Sequence, residues 1–85
     1  MAYTVEILPR AQRQLAKFDR PIRKRLGDAI DELEKNPRPP GVKKLEGEDN
    51  IWRIRVGDYR ILYEIHDRKL LILVVDVGHR SDVYR

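Results

Sequence analysis

The stretch IWRIRVGDYRILYEI, residues 51–65, places charge where a strand pair would collect it. In its first arm Arg53 and Arg55 alternate with Trp52, Ile54 and Val56. In its second arm Tyr59, Ile61, Tyr63 and Ile65 form one period-2 set, and Arg60, Leu62, Glu64 and His66 form the other. If the apolar sets meet the core, Arg53, Arg55 and Arg60 share the opposite face on neighbouring strands. Like charges so placed destabilise a sheet. A planar guanidinium fork, however, is well suited to gripping phosphate. The chain then ends in GHRSDVYR, which adds His79, Arg80, Tyr84 and Arg85. His can carry a proton near neutral pH, and Tyr can stack on a base or donate a proton. Taken singly, each has a plainer reading: a solvated strand face, a surface histidine, a packing tyrosine. Taken together they point to a surface that holds or cuts RNA.

The elements that must position these groups can be read from periodicity. YTVEIL, residues 3–8, alternates as a first strand, with Tyr3, Val5 and Ile7 on one side. Pro9 opens a short helix carrying Ala11, Leu15 and Phe18 on one stripe. Asp19 is placed to cap a second helix, with Pro21 in its first turn and Ile22, Leu26, Ala29, Ile30 and Leu33 on its apolar face. Asn36-Pro37 stops that helix at about Lys35. PRPPG is a stiff loop, and a short strand is expected around residues 42–45. Gly57-Asp58 makes a two-residue hairpin turn, and residues 67–69 a second turn. LLILVVDV, residues 70–77, reads as an interior strand that Gly78 ends. The expected architecture is α+β in two layers: an N-terminal strand and an antiparallel helix pair on a mainly antiparallel sheet, in the order β-α-α-β-β-β, within one domain spanning residues 1–85.

Composition narrows the classes. Eighteen Lys and Arg stand against 14 Asp and Glu in 85 residues, a net charge of +4, which matters to polyanions if clustered. The absence of cysteine excludes disulfides, thiolate metal sites and a cysteine nucleophile. Two separated histidines without a carboxylate cluster argue against a metal site, so no cofactor is expected. The N-terminus lacks the pattern of a signal peptide, and the longest apolar run is too short to span a bilayer. The expected location is cytoplasmic, with no membrane partner.

At these residues the chain resembles the RelE toxins of the RelE/ParE superfamily of toxin–antitoxin systems. The resemblance runs from YTVEILPRAQRQLAKF through LEKNPRPPG and KKLEG, and is most specific in WRIRVGDYRILYEI and VVDVGHRSDVYR. It implies the small α+β fold described above. It also implies a metal-independent endoribonuclease that enters the ribosomal A site and cuts mRNA there, the RNA 2′-OH attacking the adjacent phosphate. The positions matching the family's functional residues are Arg53, Arg55, Arg60, Arg80 and Tyr84, with Arg60 implied at the reacting phosphate and Arg80 on the leaving side. Where well-known members carry lysines, this chain has Arg53 and Arg55. Arginine stays protonated and is a poor base, so the base is left among His79, Tyr84 and Glu64. Arg85 adds to the RNA-binding set. The implied partners are a cognate antitoxin wrapping the basic face with helical segments, and the ribosome with its mRNA. Arg10, Arg13, Lys17, Arg20, Arg23, Lys24 and Arg25 either dock on ribosomal RNA or form a solvated helix face. Two other functions fit such a chain: a ParE-like toxin that poisons DNA gyrase without nuclease activity, and an inactive RNA-binding relative.

Overall fold

The computed structural model describes residues 2–47 and 49–79. Strand β1 (Thr4–Ile7) leads into helix α1 (Pro9–Ala16) and helix α2 (Arg20–Leu33). Strands β2 (Lys43–Lys44), β3 (Ile51–Val56) and β4 (Tyr59–His66) follow. A single 3₁₀ turn (Asp67–Lys69) then delivers the chain to β5 (Leu71–His79). The sheet order is β1-β5-β4-β3-β2, antiparallel throughout except for β1 and β5, which run parallel. The two-layer α+β expectation holds. The parallel pairing was not in the periodicity, because it joins residues at opposite ends of the chain. Among the described residues no helix is long and apolar enough to cross a membrane.

Helix α1 starts at Pro9, and α2 carries Pro21 in its first turn, where a lost N–H has no helical acceptor anyway. Asp19 occupies the N-cap position of α2, yet its side chain makes no capping hydrogen bond. Leu26, Ile30 and Leu33 of α2 and Ala11 of α1 pack against Ile54, Ile61, Tyr63, Ile65, Ile72, Val74 and Val77 of the sheet. The apolar sets of β3 and β4 therefore face the helices, as their alternation required. Burying each such large side chain contributes about 1.5–3 kcal/mol. Tyr63 is fully buried, and its hydroxyl donates to the Pro37 carbonyl at 2.7 Å, which ties the PRPPG loop to the core. Burial raises the Tyr63 pKa well above the ordinary tyrosine value.

Gly57 carries φ +61° in the β3–β4 turn, while Asp58 does not have a positive φ, as a type II′ hairpin turn requires. A side chain at Gly57 meets both that backbone penalty and the Arg25 guanidinium, 2.7 Å from the Cβ position. Gly57→Ala should therefore cost roughly 1–2 kcal/mol of stability, measured by urea unfolding. An unchanged midpoint would show that the turn relaxes freely.

At the far end of the sheet Asp67 links three segments. It accepts a 2.6 Å bond from the Tyr3 hydroxyl and a two-pronged pair from Arg38, at 3.0 and 3.3 Å. Arg38 in turn lies 4.8 Å from the Trp52 ring centroid. The Arg38 bonds, and then the Tyr3 bond, hold the Asp67 pKa below the ordinary aspartate range. The folded value is depressed, so this contribution is present above the unfolded pKa, near 4. It is lost as pH falls through the lower folded value. Asp67→Asn should flatten the fall in melting temperature on acidification below about pH 4. Parallel acid limbs for wild type and variant would remove Asp67 from the linkage.

Candidate nucleic-acid interface

The predicted arginines lie on the sheet face away from the helices, where the register sets them in two rows. Lys43, Arg53 and Leu62 are partners across β2, β3 and β4. Arg55, Arg60 and Gly78 are partners across β3, β4 and β5. Arg55 is exposed. Arg53 is half-buried, and its Nε is enclosed with no hydrogen-bond partner among the described residues. Leu62 is buried although it points away from the core. Glu64, a candidate base in the sequence, pairs with His66 at 2.8 Å. It sits four residues from Arg60 along β4, roughly 13 Å away, and so is not gathered with the arginines.

Arg60 departs from the sequence expectation of an exposed cation. It is only 5% exposed. Its side chain turns from its like-charged neighbour Arg55 toward Gly78, the partner residue on β5. A Cβ at position 78 would come within 3.1 Å of Arg60 Nη1. The same Nη1 donates to the His79 carbonyl at 2.7 Å. The guanidinium is thus held in one place by a glycine-shaped gap and a backbone acceptor. Gly78 does not end the strand: β5 continues through it to His79. The register slips between Leu62 and Tyr63, where Asp76 and Val74 are successive partners and Val75 is left over. This bulge lets Val74 and Val77 both reach the core although three positions apart.

His79 lies on the helix side of the sheet. Its ring meets Tyr59 edge-on at 5.1 Å, and Tyr59 meets Phe18 in the same way at 5.2 Å. It presents its carbonyl, rather than its imidazole, to Arg60. The remaining predicted site residues, Arg80, Tyr84 and Arg85, lie outside the described residues.

The structure also assembles groups that sequence reasoning left on a general basic helix face. Helix α1 runs beside β5, and β1 stops at Ile7, opposite Val74, so among the described residues no strand pairs with the outer edge of β5 beyond that point. Gln14 covers this edge. Its Oε1 accepts from the Val77 N–H at 2.8 Å, and its Nε2 donates to Asp76 Oδ1 at 2.7 Å. Arg10 stands 3.7 Å from the other Asp76 oxygen. A cleft of about 340 Å³ opens here, lined by Arg10, Gln14, Lys17, Arg60 and Asp76 with Phe18 at one side. The available clue was Asp76 itself, a lone carboxylate in an otherwise apolar strand.

A helix pair on a mainly antiparallel sheet, with guanidinium groups collected at one end of its inner strands, defines a small α+β module with a basic sheet face. Comparison with known proteins makes the class specific. The family model for the ParE toxin of the parDE type II toxin–antitoxin system matches residues 5–84. The mRNA interferase toxin RelE of Escherichia coli K12 is 31% identical over 88 residues, covering 99% of this chain and 92% of that protein. The toxin–antitoxin complex RelBE2 from Mycobacterium tuberculosis contains a chain that superposes with a TM-score of 0.85 at 29% identity, covering 94% of this chain and all of that one. The archaeal RelE–RelB complex from Pyrococcus horikoshii gives 0.83 at 28% identity, with 98% and 100% covered. The chain belongs to this family: it is a RelE-type toxin of the RelE/ParE superfamily of type II toxin–antitoxin systems.

Proposed function

We propose that this toxin is a ribosome-dependent mRNA endoribonuclease, restrained by a cognate antitoxin. The observation that carries the reading is Arg60, a guanidinium preset by Gly78 and the His79 carbonyl at the end of a basic sheet face. The mRNA interferase name of the Escherichia coli relative supports it.

Internal RNA cleavage has four requirements. The 2′-OH must be aligned with the phosphorus and lose its proton, the phosphorane charge must be met, and the 5′ oxygen must leave protonated. The new bond joins O2′ to phosphorus as the P–O5′ bond breaks, giving a 2′,3′-cyclic phosphate and a free 5′-hydroxyl. Arg60 meets the developing charge without reorganising, which is where a fixed donor has its largest effect. Arg53 and Arg55 grip flanking phosphates and hold the strand splayed. In this reading Arg80 serves the leaving oxygen, Tyr84 stacks on a base and Arg85 adds backbone contact. No arginine can take the proton, so the base is His79 or Tyr84. His79 reaches the task by turning its ring out of the Tyr59 contact. The antitoxin is a RelB-type chain, as in the solved RelBE complexes, covering the basic face.

The ParE name of the matching family points to one rival, a ParE-like toxin, for which the expected target is DNA gyrase. A translation extract, beside expression of the toxin in growing cells, separates the two. The nuclease reading expects discrete mRNA cuts that require ribosomes. Growth arrest with intact message and gyrase trapped on DNA would replace it with the rival.

A further inference from the structure

We infer that the cleft between α1 and the edge of β5 beyond β1 is a second phosphodiester subsite, which holds the RNA backbone next to the reacting phosphate. It rests on the ribonuclease reading, since Arg60 forms the wall shared by the two sites. Arg10 and Gln14 of α1 and Lys17 at its C-cap stand at i, i+4 and i+7, so all three fall on one side and line the cleft beside β5. Among the described residues, the cations Arg10, Lys17 and Arg60 line the cleft beside one carboxylate, Asp76. Neutralising Asp76 would need only one of them.

The way each group is held assigns its part. Gln14 is fixed at both ends of its amide, and so fixes Asp76. Arg10 is fixed much less: its contact with Asp76 is long, at 3.7 Å, and its side chain is 70% exposed. It can exchange that carboxylate for a phosphate at little cost, because exposed ion pairs are weak. Lys17 makes no salt bridge among the described residues and is exposed beside the same opening. The Phe18 ring and Gly78 give the cleft an apolar side suited to a sugar or base edge. Asp76 works against any anion that enters. It sets the tightness of the subsite and keeps the RNA strand able to leave.

The test is binding and cleavage by the full chain. The binding probe is a short RNA made uncleavable by a single 2′-deoxy substitution, followed by fluorescence anisotropy across a salt series. Arg10→Ala and Lys17→Ala should each weaken binding about 3- to 10-fold and reduce the salt slope by about 0.7, the value for one contact on a single strand. Asp76→Asn keeps an acceptor for Gln14 and should tighten binding by a similar factor. Lys35→Ala, on a separate groove lined by Asp28, Asp31, Glu32 and Glu34, is the control for general charge. In ribosome-coupled cleavage, Arg10→Ala and Lys17→Ala should raise KM and leave kcat near wild type. If both variants behave like Lys35→Ala, if Asp76→Asn fails to tighten binding, or if the wild type does not bind the probe, the subsite is rejected. Wild-type cleavage with neutral cleft variants would overturn the subsite alone. Cleft-dependent RNA binding without any cleavage would overturn the nuclease reading and leave the subsite standing.

Discussion

Arg60→Ala should reduce mRNA cleavage by on the order of 100-fold or more, the usual effect of deleting one fixed donor at a developing oxyanion. The reason lies in how the side chain is held. A surface arginine samples many rotamers and brings little of its charge to one point. Arg60 is 95% buried, is bonded to the His79 carbonyl at 2.7 Å and lies against a residue without a side chain. Its position is therefore set before substrate arrives. The truncation also removes the repulsion between Arg55 and Arg60, which are directly paired across β3 and β4. That relief offsets part of the lost hydrogen bond, so the fold should survive. Arg60→Lys restores charge but not the fork, and should recover RNA binding more than cleavage. Cleavage assays beside thermal melts separate the effects. An active Arg60→Ala would remove the residue from the mechanism. Cleavage lost only in step with unfolding would make its role structural.

Gly78→Val should produce nearly the same catalytic loss without touching a charged group. Valine suits a strand, and residue 78 has ordinary β5 backbone without a positive φ. The first atom of its side chain, however, would fall within 3.1 Å of Arg60 Nη1 and 3.5 Å of Nη2 and the guanidinium carbon. The guanidinium must move, and its bond to the His79 carbonyl must stretch or break. Overpacking of this kind costs about 1–3 kcal/mol, while a displacement of an ångström or so at the reacting phosphate costs on the order of 100-fold in rate. The expected signature is a cooperative melt, retained antitoxin binding and cleavage near the Arg60→Ala level. Gly78→Ala, with a flexible neighbour able to yield a few tenths of an ångström, should lie between. Full activity in Gly78→Val would show that Arg60 acts from another position than the one it holds here.

Much of the architecture was legible because it rests on local rules. Alternation told the two faces of β3 and β4 apart, and Ile54, Ile61, Tyr63 and Ile65 are buried on the helix side as read. Pro9 and Pro21 marked both helix starts, and Gly57 marked the hairpin. Gly78 was misread. A glycine after an apolar run is ordinarily a stop, and nothing local says that an arginine eighteen positions earlier needs the space. Glu64 falls out of the candidate bases for a related reason: its partner is His66, two residues along the same face, and it stands away from the arginines.

By itself the sequence determined which residue types were available, the two-layer order of elements and the side of each strand that Arg53, Arg55 and Arg60 would occupy, because side-chain alternation is a property of the backbone. Only the tertiary structure decided what those arginines touch. The β4–β5 register set Gly78 beside Arg60, and the early end of β1 left an edge that Gln14 of α1 covers, with Arg10 and Lys17 lining the cleft there. Both depend on pairing between residues far apart in the chain. That pairing is fixed by how the whole core packs, which no single segment encodes.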